Sequence, residues 1–357
     1  MGKQGKYIYG IIPQLSDSRL ESLNDAKSFG PCGITACEEV YALPYKNIWA
    51  VVSDSEIVDY THMRKDALAM FLVRHQRAIE KIMASGYTVI PIKLGTFARD
   101  ESELTHILAC GYSIVKGIAD KISNKIEIDV AVTWSDFTSV LKETGDEKEI
   151  KELKERLLAN PKQVSIDDQM KVGFMVKKAL DEKRDRLAEE IQNVLKKIAR
   201  EAKAHELMDD KMVMNSAFLI DKSEQTPFYK KVEELNIGFA ERLNFRCVGP
   251  LPPYSFYTLE IKKMQLDEID WAKKKLGVND AISKDGLKKA YQRSAVSSHP
   301  DRNPDIPGSE MKFDEVNKAY KILVDYCEAC EQIGQGVGNA FNDEEFKKNA
   351  VLVKVRE

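Results

Sequence analysis

The sequence contains no run of 18 apolar residues, because its apolar residues, 43% of the chain, are interspersed with charged ones. A helix needs about 20 apolar residues to cross a bilayer, so no membrane span is predicted. The apolar run near the N-terminus is short and ends at Pro13, unlike a secretory signal. The net charge of −3 and the pI of about 6.1 lack the basic excess of a nucleic-acid-binding protein. We expect a cytoplasmic protein that binds neither membranes nor nucleic acids.

Residues that could carry metal or catalytic chemistry are few and scattered. Among six cysteines, Cys327 and Cys330 form a CxxC without a second pair or a nearby histidine for zinc. This CxxC falls within a helical pattern, which favours ordinary thiols over a redox or metal role. His75 falls on the inner face of a predicted helix, which favours a packed core histidine over a base or ligand. The sequence therefore predicts no metal, no cofactor and no enzymatic activity.

A chain of 357 residues is long enough for two or three domains. The first is predicted at 1–140 as an α+β domain of ferredoxin-like kind, with both helices on one face of an antiparallel sheet. Alternation and aromatic or β-branched residues predict its strands, and apolar spacing of three and four predicts its helices. The strands are expected at 6–12, in a hairpin at 38–54, at 88–97 and at 125–134, and the helices at 64–84 and 101–122.

The second domain is predicted at 141–262. Its first part, 145–209, is charge-rich and is predicted to be a long helical segment. The second part of 141–262 is predicted to be a small α+β domain, the second of that class in the chain. It consists of a β-α-β unit over 212–261, with a rigid Gly-Pro corner at 249–253 before its last strand. The charges are interpreted as the solvated side of the helix, opposite an apolar stripe of Val172, Val176, Leu180, Leu187, Ile191, Leu195 and Ile198.

The third region, 266–330, is predicted to be an all-α helical hairpin. Gly277 is expected to end its first helix and Ser283 to cap the second. A polar loop with three prolines, SHPDRNPDIPGSE, then precedes a third amphipathic helix. The tail, 331–357, contains a glycine-rich joint, GQGVGN, and ends in VLVKV, a possible edge strand.

The 266–326 segment resembles a J-domain. Its residues are LKKAYQRSAVSSHPDRN, followed by FDEVNKAYKIL, with His299, Pro300 and Asp301 between two amphipathic helices. The resemblance implies contact with a DnaK-type ATPase and stimulation of its ATP hydrolysis. Asp301 can accept from a partner arginine, and Pro300 stiffens the loop. The alternative is that His299 and Asp301 merely cap a helical hairpin.

Two further features of this segment bear on the ATPase contact. Lys288, Lys289 and Arg293, with Lys284, predict a basic face on the second helix that suits an acidic groove. Ser297 and Ser298 stand where the family usually has bulkier residues, a departure that bears on how strongly the loop docks.

The remaining residues, about 1–262, resemble the gas vesicle F/L family in KYIYGII at the start, VIPIKLGT at 89–96 and VGPLPPYSF at 248–256. The middle motif departs from the family, which usually has Met and Arg–Phe where this chain has Ile92, Lys93 and Leu94. The resemblance implies an accessory protein, associated with gas vesicles, that binds the hydrophobic shell protein and other accessory proteins.

Tyr254 and Phe256 are interpreted mainly as core residues of a PPYSF strand. An exposed strand edge there could instead receive a β-rich client. Two functions follow for the whole chain: an assembly co-chaperone that passes shell protein to a DnaK-type ATPase, or a minor structural component of the vesicle with a vestigial J-domain.

Overall fold

The computed structural model of the chain describes residues 3–13, 27–35, 37–60, 63–159, 164–239, 242–279, 283–302, 309–332, 334 and 350–356. Most of the glycine-rich joint at 334–339 and the part of the proline loop at 303–308 lie outside these ranges. The chain divides into two compact units, one formed by 1–123 together with 257–357 and the other by 124–256. No described helix is both long and apolar enough to cross a bilayer.

The first unit is built on a six-stranded antiparallel sheet. The elements are β1 (Gln4–Pro13), β2 (Lys27–Pro31), β3 (Glu39–Tyr45), β4 (Ile48–Glu56), α1 (Lys65–Ala84), β5 (Ile90–Pro91), β6 (Phe97–Ala98) and α2 (Glu101–Ile122). The strands follow the order β2-β3-β4-β1-β5 across the sheet, and β6 also pairs with β1. The predicted hairpin is present as β3 and β4, whereas the strand predicted at 88–97 is reduced to the short strands β5 and β6.

Helices α1 and α2 cover opposite faces of this sheet. The rings of Tyr7 and Tyr9 in β1 contact His75 of α1. Between them in sequence, Ile8 points the other way, into the apolar cluster that contains Leu104 and Leu108 of α2. The prediction that both helices share one face is therefore wrong. Strand β1 is apolar at consecutive positions and buried throughout its second half, and such a strand needs cover on both faces.

The second unit contains a four-stranded antiparallel sheet. The elements are β7 (Lys125–Trp134), α3 (Phe137–Gly145), α4 (Lys148–Leu158), α5 (Ile166–Leu195), β8 (Glu201–Ala204), β9 (Met212–Asp221), α6 (Gln225–Gly238), β10 (Leu243–Leu251) and α7 (Tyr254–Tyr257). The strands follow the order β10-β7-β9-β8. The sequence predicts β7 as the last strand of the first domain, but it pairs with β9 and β10 instead.

The charge-rich segment of this unit is mostly helical, as predicted. Helix α5 begins with a capping box, in which Ser165 and Asp168 exchange hydrogen bonds with each other's backbone N–H groups and satisfy donors that the first turn leaves open. The apolar stripe turns inward and is buried at Leu180 and Ile191. The prediction of helix through 209 is wrong at β8, a short strand with all four residues exposed. Its Glu, Ala and Lys residues are good helix formers, and pairing with β9 makes the segment a strand.

The C-terminal part of the first unit holds a three-helix segment, α8 (Leu266–Leu276), α9 (Lys284–Ser298) and α10 (Ser309–Gln332). As predicted, Gly277 ends α8 in a left-handed conformation and Ser283 caps α9. The segment lies between two strands, β11 (Leu259–Lys263) and β12 (Val351–Val355), which pair with each other in antiparallel register. The predicted VLVKV strand is therefore present, and its partner is β11.

Candidate functional site

The three helices of 266–332 pack around one apolar core. Its buried members include Ile269, Leu276, Leu287 and Leu323. Helices α9 and α10 run antiparallel, because Lys284 pairs with Glu331 near one end of the pair and His299 contacts Phe313 near the other. Midway, the Tyr291 and Tyr320 rings stack with their centroids 4.2 Å apart. The loop after α9 is therefore held at one end of a rigid hairpin.

That loop carries His299, Pro300 and Asp301, here called the HPD loop. His299 ends α9 with an extended backbone, and Pro300 begins a short 3-10 turn. The backbone N–H of Asp301 donates to His299 Nδ1 at 3.1 Å, so the proton of a neutral ring resides on Nε2. The His299 ring packs edge-on against Phe313 with centroids 5.1 Å apart. Asp301 projects outward with its side chain 87% exposed, so His299 does take a capping position while Asp301 presents a carboxylate to solvent.

The basic face predicted on α9 is present in part. Lys288, Lys289 and Arg293 are exposed and make no ion pair with any residue in the described ranges. Lys284 is engaged, because its ammonium donates to Glu331 at 2.7 Å, and this hydrogen bond raises the lysine pKa. The exposed cations therefore begin about one turn after Lys284, and Arg293 is the one in the half of α9 that leads toward the HPD loop.

At the opposite end of the hairpin, α10 is attached to β11 and β12. The carboxylate of Asp325 accepts from Lys262 of β11 at 2.7 Å and from Lys354 of β12 at 3.0 Å. The side-chain amide of Gln332 donates to the carbonyl of Val353 at 2.6 Å and accepts from its N–H at 3.2 Å. The three-helix segment is thus bonded to both strands from which it emerges.

Strands β11 and β12 are themselves part of the first unit's core. Leu259, Val351 and Val353 belong to the same buried cluster as α2 and β1. A Cβ on Gly111 of α2 would lie 2.9 Å from a methyl group of Val353, so the glycine allows the strand to approach the helix closely. The N–H of Met264 donates to the carbonyl of Ala350 at 3.0 Å. The segment 265–349 is therefore an insertion whose two ends lie side by side.

The PPYSF segment differs from its prediction. Tyr254 and Phe256 lie in α7, a single helical turn, and both are half-buried. A helical turn offers no strand edge, so the expected edge at these residues is wrong. The turn is fixed by Ser255, whose backbone N–H and hydroxyl both donate to the buried carboxyl of Glu127, at 2.9 and 2.7 Å. Burial raises the pKa of Glu127.

The motif that departs from the F/L pattern retains a cation in an ion pair. Lys93 donates to Glu260 of β11 at 2.6 Å, and this contact lowers the pKa of Glu260 against the effect of its burial. Ile92 is buried and forms a parallel bridge with Leu259. This motif therefore joins the N-terminal sheet to β11.

The histidine and the two cysteines singled out in the sequence are packed in the interior. His75 is buried, its Nδ1 is 2.8 Å from the Tyr7 hydroxyl, and burial lowers its pKa to about 4. Cys327 and Cys330 are buried in α10, and burial raises the pKa of these thiols to about 11 and 12, which suppresses the reactive thiolate. Within the described residues, no three His, Cys, Asp or Glu side chains are placed to hold a metal ion.

Comparison with known families gives two matches that divide the chain. The model of the gas vesicle synthesis protein GvpL/GvpF family matches residues 5–258, and the DnaJ domain model matches residues 274–328. Gas vesicle protein F of Nostoc sp. (strain PCC 7120) is 22% identical over 254 residues, which are 71% of this chain and 97% of that protein. The chaperone protein DnaJ of Salinibacter ruber is 50% identical over 50 residues, only 13% of its own length.

Solved structures agree with this division. The crystal structure of GvpF from Anabaena sp. PCC7120 matches 71% of this chain and 98% of its own, with a TM-score of 0.59 and 23% identity. GvpF from Microcystis aeruginosa gives a TM-score of 0.57 with 22% identity. These likenesses establish the α+β fold of the larger part, and the DnaJ match establishes the kind of helical domain that carries the HPD loop. The chain belongs to the GvpL/GvpF family of gas vesicle synthesis proteins and carries a DnaJ domain behind the family region.

Proposed function

We propose that this protein is a gas vesicle assembly co-chaperone. The GvpL/GvpF region, here called the body, binds the vesicle shell protein, and the J-domain recruits a DnaK-type ATPase to that client. The observation that carries the proposal is the exposed HPD loop at the end of a rigid hairpin, on a chain whose body belongs to a gas vesicle family. Neither matched family is described as an enzyme, and the chemistry of ATP hydrolysis belongs to the partner.

The distribution of contacts on the hairpin supports the ATPase contact. Asp301 is exposed in the HPD loop, and Arg293 is exposed in the half of α9 that leads to it. Lys288 and Lys289 are exposed nearer the start of α9, where Lys284 is used internally. Such an arrangement presents cations along α9 and one carboxylate in the loop, which suits a partner surface with an acidic groove and an arginine. About 21 Å of helix, the length of α9 between Lys284 and Ser298 at ~1.5 Å per residue, separates the HPD loop from the end of the hairpin that is attached to β11 and β12.

The client surface is proposed on the body. Strand β10 is an edge of its sheet, and half-buried Tyr254 and Phe256 follow it in α7. Apolar side chains beside an edge strand can receive an extended, sheet-forming client. Gly249 and Pro250 near the end of β10 shorten the stretch that can pair, so we assign the pairing to residues 243–248, where the register with β7 is regular, and the contacts of Tyr254 and Phe256 to the part of the client that extends beyond Val248.

An excision variant tests whether the body alone binds the client. Residues 265–349 are replaced by Asn-Gly, a two-residue turn that suits an antiparallel hairpin, because Met264 and Ala350 are already hydrogen-bonded. The excised body should co-purify with co-expressed shell protein and keep it soluble. A truncation after residue 262 is the matched control, since it also loses β12 and uncovers Leu259 in the core.

The result separates the two candidate roles. A folded excised body that fails to bind shell protein would contradict the proposed client site. Flotation of intact vesicles gives the second discrimination: a chaperone should remain largely in the soluble fraction, whereas a structural component with a vestigial J-domain should float with the vesicles.

A further inference from the structure

Helix α5 carries a second apolar stripe that its own unit does not cover. Ile166, Met170 and Phe174 are 76%, 67% and 69% exposed, whereas the stripe predicted from the sequence turns inward. Spaced four residues apart, the three side chains lie within about 80° of one another around the helix. Single exposed apolar residues are common on protein surfaces, but a contiguous row is typical of an interaction surface.

The charges beside this row have a specific order. Asp167 is exposed at the N-terminal end of the row, and Lys177 is exposed at its C-terminal end. Asp168 is already engaged with Ser165 in the capping box, so Asp167 is the acidic residue that remains for an outside contact. The row therefore runs from a negative end to a positive end, and an antiparallel copy of the same helix has the complementary order.

We propose that this face binds the same face of a second copy, through antiparallel pairing of α5 around a twofold axis beside residue 172. In this register Met170 packs against Phe174 of the second copy, and Asp167 faces Lys177 of the second copy. The same contacts recur on the other side of the axis, as an isologous interface requires. The exposed Gly173, where an added Cβ would meet nothing within 4 Å, lies next to the axis and lets the two backbones approach.

The size of the face sets the strength of this association. From Ser165 to Lys178 the helix is about 20 Å long, so two such faces bury less than the ~1,600 Å² of a standard stable interface. The dimer is therefore weak and reversible, and it depends on protein concentration. Its ion pairs are exposed, so the association is stronger at low salt.

Exchanging the charges of Asp167 and Lys177 tests the proposed register between the two copies of α5. Self-association of the full-length protein is measured by sedimentation velocity at ~50 mM salt, over a range of protein concentrations. Asp167→Lys and Lys177→Asp should each weaken self-association about tenfold, because every copy then places like charges opposite each other at both ends. An equimolar mixture of the two variants should regain the wild-type association, since each lysine again meets an aspartate. Both residues are exposed, so neither change should disturb folding.

A second pair of variants tests the apolar row. Phe174→Glu should leave the protein monomeric at every concentration measured, while Ile237→Glu, at an equally exposed apolar residue on α6, should leave association unchanged. A wild-type protein that stays monomeric overturns the proposal, as does a mixture that fails to regain association. If Phe174→Glu instead removes shell-protein binding from a monomeric protein, the face belongs to that client and not to a second copy.

Discussion

The carboxylate of Asp325 in α10 lies 3.0 Å from the ammonium of Lys354 in β12. This contact joins the last helix of the J-domain to the strand that follows it, and Lys262 adds the corresponding contact to β11. Both strands are packed in the core of the body. The J-domain is therefore fixed where α10 is bonded to β11 and β12, an attachment here called its root. A partner that binds the HPD loop is therefore held in a defined direction relative to the N-terminal sheet.

Removing this carboxylate should loosen the root. Asp325 is nearly buried, with 11% of its side chain exposed, and Asp325→Ala leaves two half-buried lysines without their acceptor. We expect the local free energy of opening to fall by about 1–3 kcal/mol, seen as roughly 5- to 150-fold faster hydrogen exchange at the amide of Val353. Asp314→Ala, at an exposed position on the same helix, is the control. Equal exchange rates in the two variants would show that the ion pairs do not hold the root.

The exposed cations of α9 should act on the rate of association with the ATPase. Charge reversal of Lys289 and Arg293 should slow association strongly at 0.1 M salt and much less at 1 M, where the screening length falls from ~10 to ~3 Å. Stopped-flow mixing over a salt series measures this dependence, and shell-protein binding to the body serves as the comparison that should vary little. An unchanged rate at low salt would mean that these cations form only a solvated surface.

The stability of the N-terminal sheet should fall in mild acid because of His75. Its pKa is about 4 in the folded protein and ~6.5 in an unfolded chain, so the unfolded state binds the extra proton between these values. The stabilisation is present above pH ~6.5 and is lost as the pH falls toward 4, with about 2 kcal/mol lost between pH 7.5 and 5. Opening free energies from hydrogen exchange in β1 should show this slope. His75→Gln should remove it, and an equal slope in both proteins would refute the assignment.

Most of the local elements could be predicted from the sequence. Helix α2 begins and ends at the predicted residues, because its apolar spacing is regular over six turns. The same holds for β7, whose alternation is strict. Gly277 and Ser283 mark helix ends by chemistry that needs no tertiary context.

The pairing of these elements with one another could not be predicted from local sequence patterns. The alternation in β7 shows that one face of the strand is buried, but it does not show which sheet the strand joins. In the structure β7 belongs to the second sheet. The apolar β1 could have indicated that helices cover both its faces. The PPYSF segment has strand-like residues, but two prolines and the hydrogen bonds from Ser255 to the distant Glu127 close it into a helical turn.

The candidate site shows the same limit. The HPD loop and the cations of α9 follow from local motifs and helix periodicity. The attachment of the J-domain does not, because Asp325 meets Lys262 across 63 positions of sequence. No local pattern distinguishes that aspartate from the many exposed acidic residues of the chain.

Single-turnover ATP hydrolysis by a DnaK-type ATPase tests the central claim most directly. Wild-type protein should accelerate hydrolysis, and His299→Gln should reduce the rate to that of the ATPase alone. The substitution leaves the three-helix core intact, since the histidine is at the surface end of the hairpin, and circular dichroism verifies this. Equal stimulation by the two proteins would contradict the claim that the HPD loop recruits the ATPase.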